Sequence, residues 1–584
     1  MSEPASAAPA NAQRLLWAGF MAILAAGVGF SIRGGILGQW AEQYGFTMTE
    51  LGQITGGGLT GFGIIILLSS FLADTLGYGR LMLLAFLTHF VSAVLTLAAG
   101  AAFASGGKEA AYQCLFWGMF LFAIGNGIAE AVVNPLVATL FPDNKTHYLN
   151  ILHAGWPGGL IVGGLASYFM NPDAAKPVGW QMQMSLFMVP VVLYGVMLLG
   201  QKFPKSEASA AGVSIGSMIG QLFAPLMLVL LVIHAMVGYV ELGTDSWISK
   251  ITGNIMASPQ KGLLLFVYTS ALMFALRFFA GPIVHRISPL GLLFVSGILG
   301  FAGLNLLGVA ESGLICVVAA TVYAAGKTFL WPTMLAVVSE QFPKGGAITI
   351  GAIGGVGMLS AGLLGGPGIG FKQDYNASQE LAKNAAVYER YQAATESAFF
   401  GFKVKGLDGA KVGVLGDGGK ELARAQELAA KAGKPDTNAD ALAAWWSTAS
   451  ATADEDRKLV DAAGLYGGRQ ALKLTSFVPA AMAVLYLLLI LYFKARGGYK
   501  AVHVDGAAPA GHLSERQRTR MSHALLSPCR SPSAGAVFIH PPPPFSAPES
   551  FRKPCAASPD TPQADSNPPQ HRRPPETAPS HPPT

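Results

Sequence analysis

The sequence predicts an all-α polytopic membrane protein with twelve transmembrane helices in two six-helix halves. Three observations carry that expectation. The 584-residue chain is 52% apolar and 12% charged, with 71 glycines and a mean hydropathy of +0.43, a balance that soluble multidomain chains rarely show. The charge is concentrated: of the 39 basic and 33 acidic residues, 28 fall between Lys372 and Lys473 and 14 after His503, so the rest of the chain is nearly uncharged. That remainder resolves into apolar runs of roughly 20 residues or more, the length at which a helix crosses the hydrocarbon with its backbone satisfied internally.

Taken in order, the runs of the first half cover residues 15–38, 52–75, 81–104, 111–141, 149–171 and 180–200. A polar stretch around KFPKSEASAAG separates them from runs over 223–247, 262–284, 290–309, 313–341, 346–370 and 474–493. The expected organisation is a short segment over 1–12, a first bundle over 13–203, a linker over 204–220, spans 7–11 over 221–371, an insert over 372–473, span 12 over 474–495 and a tail over 496–584.

Basic residues in short loops set the orientation, because translocation of Lys and Arg is disfavoured. With the amino terminus inside, the inner loops hold Arg80, Lys145, Lys202, Lys205, Arg286 and Lys344, against Lys108, Lys176, Lys250 and Lys261 outside. Arg14, Lys494, Arg496 and Lys500 add to the inner side, so both termini are expected in the cytoplasm. No cleavable signal peptide is expected, since the first apolar run is a full span. Cys114, Cys316, Cys529 and Cys555 show neither metal spacing nor a disulfide framework.

The insert carries 14 acidic and 14 basic residues and helical stretches such as GGKELARAQELAAKAG, so a small helical domain outside the membrane is expected. Trp445, Trp446, Phe399 and Phe400 are expected either to form its core or to rest on the membrane surface. From about Gly506 onward the chain is rich in Pro and Ser, as in HPPPPFSAPES, and reads as disordered.

Six ionisable residues fall inside spans: Arg33, Glu130, Glu241, Asp245, Arg277 and Lys327. Each costs several kcal/mol if left unpaired in lipid. Three acids and three bases suggest pairing around a polar pathway, or else pairs that merely hold helices together.

In GNGIAEAVVNPLVATLF, Asn126, Glu130 and Asn134 recur every four residues and share one helical face. Amides and a carboxyl suit sugar hydroxyls, and a carboxyl out of water can take up and release a proton within a cycle. Pro135 frees a backbone carbonyl and permits a bend. The second half repeats the pattern: Glu130 precedes Pro135 by five residues and Lys327 precedes Pro332 by five, and the two helices end at Phe141-Pro142 and Phe342-Pro343.

Tyr323, Lys327 and Trp331 also recur every four residues, placing a donor, a cation and an aromatic plane on one face. Span 5 begins YLNILHAGWPGG, which brings Asn150, His153 and Trp156 within about a turn, and His153 is expected either to titrate near neutrality or to pack between helices bonded to a neighbour. In span 7, His234, Glu241 and Asp245 follow at seven and four and are expected on one stripe.

The inner loop after span 2 reads LADTLGYGR, with Asp74 six residues before Arg80. It resembles the acidic-to-basic signature of the major facilitator superfamily. GPIVHR in the second half keeps Arg286 but has His285 where an acid is expected. The resemblance covers residues 13–371 and 474–495, and implies the major facilitator fold, with spans 1, 4, 7 and 10 lining a central cavity that opens alternately to each side.

Within the superfamily, Glu130 followed by Asn134-Pro135 and then Leu149-Asn150 resembles the fucose:proton symporter and glucose/galactose carriers. That resemblance implies that Glu130 carries the proton. The family has a further acid in span 1, whereas this chain reads GFSIRGGILGQW, and Arg33 at about that place is expected to pair with Glu130.

The expected function is secondary transport of a small polar solute, of the sugar class, by proton symport across an inner membrane. Asn126, Asn134, Asn150, His153, Tyr323, Lys327 and Trp331 are the expected solute contacts, and Glu130, Arg33 and Glu241 the expected coupling groups. Asp74, Arg80 and Arg286 are expected to gate. The expected partners are the solute, protons and the bilayer. No cofactor, metal, nucleic acid or second subunit is expected. A facilitator or efflux carrier, or a non-transporting receptor using the insert, are the alternatives. An enzyme is not expected, since the sequence has no P-loop, metal cluster or nucleophile elbow.

Overall fold

The computed structural model describes residues 9–46, 48–55, 58–170, 178–432, 437–502 and 504. Expectations for residues 1–8, for Lys176 and for the tail after about 506 lie outside the described residues. The described residues all belong to one compact unit.

Among the described residues, ten segments are long and apolar enough to cross a membrane. One of them, Tyr78–Leu140, runs for 63 residues but breaks at Gly107, whose φ of 70° and ψ of −160° suit only a residue without a Cβ; it therefore supplies two crossings, spans 3 and 4. Lys145–Met170, whose Asn150, His153 and clustered glycines lower its hydropathy, is 26 residues long and adds span 5, giving twelve crossings.

The other spans of the first half are Ala12–Tyr44 (span 1), Gly58–Leu76 (span 2) and Trp180–Leu198 (span 6). In the second half, span 7 is Pro225–Ile255 and span 10 Gly313–Gln341. Span 8 is Pro259–Arg277 and continues around a corner into Ala280–Gly308, which itself breaks at Ser288 (φ 65°) before Pro289 to begin span 9. Span 11 lies within Pro343–Leu381 and span 12 is Phe477–Ala495.

Glycines set the close crossings. A Cβ on Gly159 of span 5 would stand 2.4 Å from the Leu24 carbonyl of span 1, and one on Gly238 of span 7 would stand 1.9 Å from the Gly357 carbonyl of span 11. Backbone contact of this kind gives helices dispersion energy where lipid offers no hydrophobic drive. The halves meet along spans 2 and 11 and along spans 5 and 8, with span 10 also against span 5. Two π-helical turns, Tyr239–Gly243 in span 7 and Ala361–Gly365 in span 11, pack on each other.

The end of the bundle that carries Ala12 and the linker is the linker end; the opposite end carries the insert. Span 11 continues as a helix to Leu381, and Ala453–Thr475 packs beside that extension before span 12. Between them lie short helices and one two-stranded antiparallel hairpin, Ser397–Phe399 with Phe402–Val404. Trp445 and Trp446 pack against the insert's small core of Leu381, Val387, Tyr391, Leu415 and Val460. Phe399 instead stacks on Phe371 at the end of span 11, and Phe400 is 76% exposed.

Candidate functional site

A narrow central cavity lies between the halves. Span 4 gives it Asn126 and Glu130, span 5 His153 and Trp156, span 7 Glu241, span 8 Arg277 and span 10 Trp331, with Ala22, Ile23 and Ala26 of span 1 as an apolar wall. Glu130 precedes the end of span 4 by ten residues and His153 follows the start of span 5 by eight. At 1.5 Å per residue both stand about 12–15 Å inside the linker end.

The Glu130 carboxyl is buried, with Oε1 accepting from Trp331 Nε1 at 3.4 Å and lying 3.6 Å from His153 Nε2. The same His153 nitrogen is 2.8 Å from Asn134 Oδ1, while Asn134 Nδ2 donates to the Glu130 carbonyl at 2.9 Å. Asn134 therefore holds the histidine and does not line the cavity. Asn150 lies lower, donating to the Thr146 carbonyl at 2.8 Å and to Thr333 Oγ1 at 3.3 Å across the two halves. His234 packs against Trp331 with ring centroids 4.6 Å apart and planes tilted by 57°.

Arg277, the last residue of the helix Pro259–Arg277, is the centre of the site and 1% exposed. Its NH2 donates to Glu241 Oε1 at 3.0 Å, its Nε to the Thr328 carbonyl at 2.9 Å and its NH1 to the His153 carbonyl. Both carbonyls stand four residues before a proline, Pro332 and Pro157, whose missing N–H leaves them without a helical donor. The guanidinium thus spends its fixed fork on one carboxylate and on one proline-freed carbonyl from each half.

Asn134 and Asn150 are thus not the solute contacts expected of them, and three further expectations need correction. Arg33 does not pair with Glu130: it is buried among spans 1, 3, 4 and 6, donates to Ser92 Oγ at 2.9 Å and lies over the Phe122 ring at 4.0 Å. Its span continues past the cavity, so the side chain turns into the first half. Lys327 and Tyr323 do not line the central cavity either. Span 10 is interrupted at Thr328–Phe329, which turns Lys327 away from the face of Trp331 and onto Asp245, while Tyr323 donates to the Val240 carbonyl at 2.7 Å. The stripe of His234, Glu241 and Asp245 is also split. The π-turn adds a residue to the helical turn, so Glu241 faces the cavity and Asp245 faces Lys327 between spans 7, 8 and 10.

At the linker end, Asp74 Oδ1 accepts from the Ser206 hydroxyl of the linker, whereas Arg80 and Arg286 are exposed. Among the described residues Asp74 and Arg80 form no ion pair. Closure there rests on other groups: Lys145 Nζ donates to the Ser339 carbonyl at 3.4 Å and pairs with Glu207 at 3.1 Å, and Thr146 Oγ1 donates to Glu340 Oε1 at 3.2 Å. Glu340 Oε2 in turn accepts from Tyr499 at 2.6 Å.

The chain matches the Major Facilitator Superfamily over residues 19–366. It belongs to that family. The match spans more than half of the chain, both halves of the bundle and every cavity residue named above. The family's members are transporters and not enzymes.

Among solved structures, FucP in its outward conformation is similar at 17% identity and a TM-score of 0.52, covering 62% of this chain and 92% of that one. The proton:xylose symporter XylE is similar at 14% identity and a TM-score of 0.52, covering 64% and 90%. The human organic anion transporter MFSD10 is similar at 12% identity and a TM-score of 0.51, covering 82% and 100%. At these identities the likeness is one of fold. No curated protein matches the chain in sequence.

Proposed function

We propose that the chain carries a sugar by proton symport, with its linker end and both termini facing the cytoplasm across an inner membrane. The observation that carries this reading is the Glu130 carboxyl, buried at the cavity wall within reach of the Trp331 indole N–H and the His153 imidazole. A carboxyl that is neutral when loaded and charged when empty changes what the cavity prefers to bind, and that differential drives the carrier between its two forms. Two indoles, Trp156 and Trp331, with the Asn126 amide offer apolar faces and a polar edge, the combination that suits a sugar ring.

In the cycle, Glu130 takes a proton from the insert side and the solute docks between the indoles. The ties of Lys145 and Thr146 then release, and solute and proton leave at the linker end. The likeness of fold to FucP, and to the symporter XylE, is in keeping with this scheme. Uptake of radiolabelled monosaccharides, other sugars and amino acids into proteoliposomes at two external pH values tests it. Sugar uptake should rise as the outer solution is acidified, and Glu130→Gln should abolish that rise. Full gradient-driven uptake by the glutamine variant would overturn the assignment.

A second reading, carriage of an organic anion, is favoured by Arg277 at the cavity wall. It requires the anion to displace Glu241 from the guanidinium. Uptake of carboxylates and not sugars in the same panel would select it.

A further inference from the structure

Behind the cavity wall of the first half, the cavity residue Asn126 continues into a polar chain whose other members, His89 and Tyr194, the transport scheme does not use. His89 of span 3 is fully buried, with Nδ1 2.9 Å from the Tyr194 hydroxyl of span 6 and Nε2 2.9 Å from Asn126 Oδ1 of span 4. Phe122 and Phe187 flank the imidazole at centroid distances of 6.0 and 5.9 Å. Gly125, next to Asn126, makes room for it: a Cβ there would stand 2.3 Å from His89 Cδ2.

The burial of Tyr194 fixes the direction of these bonds. Its hydroxyl is fully buried and its one recorded polar partner among the described residues is His89. If Nδ1 carried a proton, in the other tautomer or as imidazolium, Tyr194 would have to accept, and its own O–H would be stranded in a dry interior. Tyr194 therefore donates to Nδ1. The single ring proton sits on Nε2 and goes to Asn126 Oδ1. With its carbonyl taken, the Asn126 amide turns its NH2 toward the cavity it lines, where that group has no protein partner among the described residues.

We propose that His89, oriented by Tyr194, is a positioning residue that fixes Asn126 as a hydrogen-bond donor to an oxygen of the solute, so that the cavity selects solutes presenting a hydroxyl or carbonyl oxygen at that point. The solute half of this inference rests on the sugar reading above; the hydrogen-bond direction does not. Freed of its anchor, the amide can present either end, and a solute carbonyl, or a hydroxyl whose proton is committed elsewhere, then meets an acceptor it cannot use. The sequence held no sign of this chain, because His89, Asn126 and Tyr194 come from three spans.

Two measurements on the full-length protein test it. With ¹⁵N-labelled histidine, the resonances assigned to His89 by their loss in His89→Asn should report an unprotonated Nδ1 and a protonated Nε2. Tyr194→Phe should convert that signature into mixed tautomers. In proteoliposomes supplied with D-glucose, D-galactose, L-fucose and their monodeoxy analogues, Tyr194→Phe should raise KM for the carried sugar about five- to tenfold, the size of one neutral hydrogen bond, with the maximal rate unchanged. The monodeoxy analogue lacking the recognised hydroxyl should show no such rise. A protonated Nδ1 in the wild type, or an equal rise for the parent sugar and every analogue, would overturn the inference. If no sugar is carried while the tautomer signature holds, the sugar reading falls and takes the solute contact with it, and the hydrogen-bond chain stands.

Discussion

Replacing Arg277 with alanine should be among the most destabilising changes available in the second half. The side chain is 1% exposed and makes three bonds, one of them the 3.0 Å pair with Glu241. Its loss leaves a buried carboxylate whose second oxygen, Oε2, already lacks a partner, and breaking a buried pair in this way costs about 3–5 kcal/mol. The Thr328 and His153 carbonyls lose their donors too, at about 1–3 kcal/mol for a stranded buried acceptor, although effects within one network do not simply add.

Glu241→Gln in the alanine background removes the stranded charge and should recover most of the pair's share. Arg277→Lys keeps the charge but lacks the fork, and should fall between. Reversible unfolding of the purified variants in detergent, analysed as a double-mutant cycle, measures these differences. A cost for Arg277→Ala below about 1 kcal/mol, or one unchanged by Glu241→Gln, would refute the reasoning.

Lys327→Met should strand buried Asp245 and cost about 3–5 kcal/mol in the same unfolding assay, while the KM for a carried sugar stays within about twofold, since neither side chain lines the central cavity. Glu340→Ala removes the acceptor for Thr146 and Tyr499, about 0.5–1.5 kcal/mol for each bond. The linker-end-open form should then rise roughly two- to tenfold, read as faster alkylation of a cysteine placed at Ala138 in the crevice there. Deleting residues 385–450 and bridging the helices that end at Leu381 and begin at Ala453 should leave uptake largely intact. Complete loss of uptake in a folded protein would favour a receptor built around the insert.

Much of the architecture was legible because a membrane span is a one-dimensional signal: length, hydropathy and the Phe-Pro stops of spans 4 and 10 each sit in consecutive residues. Glu130 was legible for a similar reason, since Asn126 and Glu130 on one face leave that face nowhere to go but inward. Which neighbour a side chain meets was not. Arg33 and Lys327 lie on sensible faces, but an aromatic pocket in one half and a break at Thr328 in the other redirect them. The π-turn at Tyr239–Gly243 shifts the helical phase by a residue and separates Glu241 from Asp245, which regular periodicity joined.

Arg277 had a readable signal. Each of Pro157 and Pro332 frees the carbonyl four residues before it, and two orphaned carbonyls near one buried cation ask for a donor.

Solute-driven proton movement tests the central claim most directly. Proteoliposomes holding a pH-sensitive dye and no imposed gradient should acidify inside when a carried sugar is added to the wild-type protein. The Glu130→Gln protein should exchange labelled for unlabelled sugar across the same membrane without any acidification. Sugar entry without proton entry in the wild type, or acidification that persists in the glutamine variant, would contradict the account.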